Sequence, residues 1–245
     1  MHHLLRKQIK LVALVAGFIA YTSAMAQDKE IYRPEHDDLR YYFGITLGYN
    51  SSYLHTTLSN RFLKDDSILV ARPKGTGGIA LGFLGTLRLD NHFQLRINPQ
   101  LILGGAKPLD FTVLNGTTPS GIITKDTIET LNSTIISLPI QIKFNSDRID
   151  NFRFYALGGI KIDRDISSNS SERNLEGLLK LKANDFGLET GVGLNFYLPY
   201  VTISPEIKFS YGLTNLNQVE PTLKYSAVFD KIQSRMISFS LHFED

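Results

Sequence analysis

The chain has 245 residues, with 26 Lys and Arg against 24 Asp and Glu, a hydrophobic share of 42% and no cysteine. A formal charge of +2 gives no argument for nucleic acid. The missing cysteines rule out a disulfide framework, a thiolate metal site and a cysteine nucleophile.

The first 26 residues read as an export signal. Arg6, Lys7 and Lys10 form a basic start, Leu11 to Tyr21 an apolar run, and Ala24-Met25-Ala26 an A-x-A cleavage site. The apolar run is shorter than the ~20 residues a membrane helix needs. Cleavage before Gln27 is expected, and no Cys follows it to carry a lipid anchor. The slight basic excess belongs to this segment. Residues 27–40, with Asp28, Lys29, Glu30, Glu35, Asp37 and Asp38, read as a short polar tail before the fold.

From residue 41 the dominant signal is alternation with period two, the signature of strands with two unlike faces. The clearest example is Phe186 to Tyr197. Phe186, Leu188, Thr190, Val192, Leu194 and Phe196 share one face, and Gly187, Glu189, Gly191, Gly193, Asn195 and Tyr197 the other. Eight strands are predicted, at 42–54, 77–89, 93–103, 134–144, 152–165, 186–197, 201–211 and 237–243. Each is close to the ~9–11 residues a tilted strand needs to cross a bilayer. Pro99, Pro139 and Pro205 fall inside strands, so bulges or boundary positions are expected there.

The connections alternate in length. Asp90-Asn91, residues 145–151 and Leu198 to Tyr200 are short. About 55–76, 104–133, 166–181 and 212–233 are long, polar and expected to be loops. Short turns at one end and long polar loops at the other describe an eight-stranded antiparallel transmembrane β-barrel of the outer membrane, over 41–245, with both termini periplasmic. Tyr42, Phe43, Phe93, Phe144, Phe152, Phe196, Tyr200 and Phe243 stand at the short-turn ends, where an interfacial girdle is expected.

A soluble lipocalin-like barrel would carry the opposite polarity, and the charges decide between them. Arg88, Arg96, Lys143, Arg153, Lys161, Asp163, Glu189, Glu206 and Lys208 lie on the polar faces among many glycines. Eight strands leave an interior just wide enough for side chains. These nine are therefore expected to form a luminal charge network with a structural role. The closing run Ile237, Phe239, Leu241 and Phe243 reads as a C-terminal strand recognised by insertion machinery.

Particular blocks resemble a known family. FGITLGYN (43–50), GFLGTLRLDNHFQLRINPQL (82–101), residues 138–165 beginning LPIQIKF, residues 186–213 ending SPEIKFSYGL, and the closing SRMISFSLHFE are similar to the PorT family. That family belongs to the Bacteroidetes type IX, or Por, secretion system of the outer membrane, and its members in gliding bacteria support gliding motility. The resemblance covers most of the chain after the signal, and the long loops match poorly. It implies a structural or assembly role in exporting cargo proteins, with outer-membrane lipid and other type IX components as partners. It carries no catalytic residues, cofactor or metal.

Other chemistry finds little support. The six histidines, at 2, 3, 36, 55, 92 and 242, show no zinc spacing. His55 with Ser51 and Ser52 could suggest a lipid-modifying enzyme, but no partner motif accompanies them. The Gly75 to Gly82 run enters a strand and not a helix, so it is no phosphate cradle. Neither enzyme activity nor a small-molecule substrate is expected. A porin-like channel and a loop-mediated binding barrel remain as rival functions.

Overall fold

Strands that are polar on one side and apolar on the other must close on themselves when lipid covers the outside, because unpaired backbone groups have no water there. The computed structural model contains that closure. It describes residues 30–59, 68–104, 107–118, 121–131, 133–167, 181–218 and 229–245, with backbone alone for 68–71, 107–118 and 121–131. The expected export signal lies outside the described residues, as do 60–67, 168–180 and 219–228 of the expected loops. The chain divides into two units, Met1–Tyr32 and Arg33–Asp245. Of the first, residues 30–32 are described and carry no regular structure.

The second unit opens with a 3-10 helix, η1 (Pro34–Asp37). Twelve strands follow: β1 (Tyr41–Leu58), β2 (Ile68–Pro73), β3 (Thr76–Arg88), β4 (Phe93–Ile97), β5 (Gln100–Gly104), β6 (Lys107–Thr118), β7 (Gly121–Leu131), β8 (Thr134–Asn145), β9 (Phe152–Asp165), β10 (Asn184–Tyr197), β11 (Thr202–Gly212) and β12 (Phe229–Glu244). Walking around the main sheet gives β1, β12, β11, β10, β9, β8, then β4 with β5, then β3, which pairs back onto β1. Every pairing is antiparallel. Since β4 and β5 each pair with both β3 and β8, they are two halves of one stave. The ring is eight-stranded.

The division between β4 and β5 falls at Asn98-Pro99. Pro99 lacks the N–H the ladder needs, and Pro139 of β8 lies alongside, so two donors are missing at one level. The remaining groups are reused. Phe83 N–H donates to the Pro99 carbonyl (3.0 Å), and Asn98 N–H to that of Pro139 (3.3 Å). The bulges expected at Pro139 and Pro205 are absent, because β8 and β11 run unbroken through both. Pro205 instead leaves a gap in the β10–β11 pairing, between Gly193↔Glu206 and Phe196↔Ile203.

Parts of 55–76 and 104–133 are strands, not loops. β1 runs on to Leu58, and β2, β6 and β7 form a separate three-stranded antiparallel sheet. The turns at the end carrying both β1's start and β12's finish are short. Leu198 N–H bonds the Val201 carbonyl (3.0 Å), and Ile149 and Phe152 bond each other (2.9 and 3.0 Å).

Burial sorts the faces. Phe83 is 71% exposed and Val192 58%, and Phe43, Ile142, Phe154 and Phe239 also face outward. An apolar surface this extensive is far larger than water-soluble monomers carry and belongs against lipid. Of the expected girdle, Phe43, Phe93, Phe144, Phe196 and Tyr200 are exposed, and Phe152 and Phe243 half-buried. Tyr42 is the exception. It points inward and donates to Gln94 (2.9 Å), on the same face as Thr46 and Asn50.

Candidate functional site

Alternation sends the even-numbered residues of β4, β11 and β12 inward, and this brings three staves' charges to one point. Arg96 of β4 reaches across to Glu206 of β11 (Nη1–Oε2 2.8 Å) and Glu244 of β12 (Nη2–Oε1 3.0 Å). All three side chains have no exposed surface. Tyr155 of β9 donates to the same Glu206 oxygen (2.7 Å). His242 stands 3.3 Å and Lys208 3.6 Å from its other oxygen. The far nitrogen of His242 lies 2.9 Å from the Thr46 hydroxyl. Lys143 of β8 donates to Asn195 (3.1 Å) and sits 3.9 Å over the Tyr155 ring. Taking such charges out of water is costly, and close opposite charge with several hydrogen bonds offsets that cost.

A second layer lies toward the other end. Glu189 accepts from Gln141 and from Ser210 (3.4 Å). Asp163 accepts from Ser137 and pairs with Lys161, and Asp185 accepts from Ser234. The cavity these pairings leave, lined among others by Lys161, Asp163, Asp165 and Asp185, measures about 20 Å³. That is room for about one water, not a solute.

The end where β1 begins and β12 finishes is corked. Pro34 suits the first position of η1, because its missing N–H would have no helical partner there. Asp37 is gripped by Arg148 (2.9 Å) and Arg153 (3.1 Å). Arg88 donates to the His36 carbonyl (3.1 Å), and Arg33 to the Glu244 carbonyl (3.2 Å) and the Asp245 carboxylate (3.0 Å). His36 itself is 3% exposed, between Tyr42 (4.8 Å) and Tyr197 (5.7 Å). Burial, with the Arg33 cation nearby, lowers its pKa to about 4. The ring is therefore neutral at pH 7.

The nine residues singled out from sequence divide between these regions. Arg96, Lys143, Glu206 and Lys208 meet in the central cluster, and Lys161, Asp163 and Glu189 in the second layer. Arg88 and Arg153 do not join the luminal set and hold the cork instead. Ile237 and Phe239 face out, with Leu241 and Phe243 half-buried on the same side. Glu244 and Tyr155 are not among the residues singled out from sequence, and Asn195 stands there only as a polar-face position of 186–197. Glu244 continues the inward series Ser240, His242, so its alternation could have found it. Among the described residues no cluster of His, Asp and Glu is arranged to hold a metal ion.

A family model described as the outer membrane protein beta-barrel domain matches residues 25–218. No curated protein matches the chain. Among solved structures, Neisserial surface protein A is 12% identical, with 82% of this chain and 95% of that one covered, at a TM-score of 0.42. OprG from Pseudomonas aeruginosa is 13% identical, covering 82% and 94% at 0.41. The attachment invasion locus protein Ail of Yersinia pestis, solved with the heparin analogue sucrose octasulfate, is 13% identical, covering 84% and 100% at 0.40. At these identities the likeness concerns the fold alone.

Proposed function

Since this chain belongs to the outer membrane protein beta-barrel domain family, we propose that it works as a closed assembly component of the type IX protein secretion machinery and not as a pore or an enzyme. The observation that carries the closed reading is the Arg96–Glu206–Glu244 cluster, which spans the interior from three staves. A barrel filled in this way has its outer wall, its turns and its long connections left to act with. Folded cargo cannot pass through it, so it supports a larger conduit. The secretion role itself leans on the similarity of its sequence blocks to the PorT family. Short turns at the terminal end and long connections at the other favour periplasmic termini.

Deleting the gene and quantifying the cell-surface proteome tests this reading. Cargo bearing the type IX signal is expected to vanish from the surface and accumulate inside the cell. Normal surface display of that cargo would overturn the secretion role. A second reading, a loop-mediated binding barrel, is favoured by the β2–β6–β7 sheet, which gives the long connections a built surface. It predicts unchanged secretion together with lost binding of the cell to its surface ligand.

A further inference from the structure

On the outer wall at the loop end, a cation stands where the lipid-facing surface should be apolar. Arg235 of β12 pairs with Tyr53 of β1 on one side and Tyr211 of β11 on the other. Its guanidinium lies 3.1 Å from the centre of the Tyr211 ring. One nitrogen, Nη1, donates to the carbonyls of Gly212 (3.3 Å) and Ser234 (3.1 Å). Among the described residues no carboxylate pairs with it. This is the inverse of the lumen, where Arg96 has two carboxylates.

The height of Arg235 is informative. It stands eight positions along β12 from Phe243, at the end where β12 finishes. At ~3.3 Å per residue and a tilt of ~40°, that is about 20 Å along the membrane normal, close to the ~25 Å height of a barrel's apolar band. Arg235 therefore stands near the boundary where headgroup phosphates begin. Beneath it an open groove of about 610 Å³ runs over Leu188, Thr190, Phe209 and Ile237, bounded by Tyr53 and Tyr211. A second groove of about 590 Å³, between Phe144, Phe154, Val192 and Phe239 nearer the termini, has the same apolar character and no cation on its rim.

We propose that the Arg235 groove is a binding site for a single acyl lipid with an anionic phosphate headgroup. The chain lies over Phe209 and Ile237, and the phosphate accepts from the free arm of the guanidinium, which Tyr211 holds in place. A planar donor fork suits a phosphate better than a point charge does. The cation-free groove takes any acyl chain and selects no headgroup. The site depends on the barrel standing in a bilayer and is independent of the secretion role.

The test is native mass spectrometry of the folded full chain in detergent, titrated with dioleoyl phosphatidic acid or dioleoyl phosphatidylcholine. Folding of each variant is checked by heat-dependent gel migration. The wild type is expected to retain one phosphatidic acid roughly tenfold better than phosphatidylcholine. Arg235→Gln and Ile237→Trp, which remove the cation and fill the groove respectively, should each abolish that preference. Undiminished retention by Arg235→Gln overturns the site, and so does a loss confined to that variant, because the groove would then play no part. If Arg235→Gln does not fold, Ile237→Trp decides alone, and unchanged retention by it overturns the proposal.

Discussion

The inner and outer faces of these eight staves come from the same strands, one residue apart, and are held by opposite physics. Inside, Arg96, Glu206 and Glu244 have no exposed surface and meet at hydrogen-bond distance, so each position depends on its partners. Outside, Phe83, Val192 and Phe239 face lipid, which adapts to whatever shape it meets. The inner face should therefore be intolerant and coupled, and the outer face permissive and additive. A water-soluble barrel would reverse both properties.

The largest break in that comparison should come at Arg96. Arg96→Met leaves two carboxylates buried without their shared cation, and removing one partner of a buried pair costs about 3–5 kcal/mol. Urea unfolding of the protein in lipid vesicles should record that loss. Adding Glu244→Gln to the same protein should recover part of it, because Glu206 keeps Lys208 as a neighbouring cation, and such coupling has no expected counterpart on the outer wall.

His36, where the interior meets water, gives an effect of pH. Its pKa is about 4 in the folded protein, against an ordinary value of 6.5. Between these values the released form binds the proton and the docked form does not. The contribution is complete above pH 6.5 and is lost as pH falls toward 4, at most about 3 kcal/mol. Proteolysis of the η1 segment should accelerate between pH 7 and pH 5, and His36→Phe should flatten that dependence.

The smallest effect is the sharpest contrast, because it compares neighbours in β9. A methyl group added at Gly158 points outward and meets nothing within 4 Å, whereas one at Gly159 points inward onto the Ile140 carbonyl of β8. Gly159→Ala is expected to cost about 1–3 kcal/mol, and Gly158→Ala to stay within about 0.5 kcal/mol. The same unfolding titration measures both.

Strand positions and the inward charges could be read from sequence because each rests on a period of two that survives without knowledge of partners. Phe186 to Tyr197 shows one clean alternation, and β10 occupies it almost to the residue. Features that depend on a neighbouring strand could not be read that way. The interruption at Pro99 needs Pro139 beside it, and the grip of Arg88 and Arg153 on η1 needs the helix first. Elsewhere composition outweighed pattern. Leu109, Phe111 and Val113 alternate with Asp110 and Thr112 in β6, yet polar surroundings made the stretch read as loop. Pro34 followed by Glu35 is a helix-start signal that a run of charge concealed.

The closed interior is the centre of this account, and single-channel recording tests it most directly. The folded protein inserted in a planar bilayer should hold the baseline current, with no steady open level, because side chains from three staves occupy the bore. Long-lived openings of uniform size would contradict the account and return the protein to the porins.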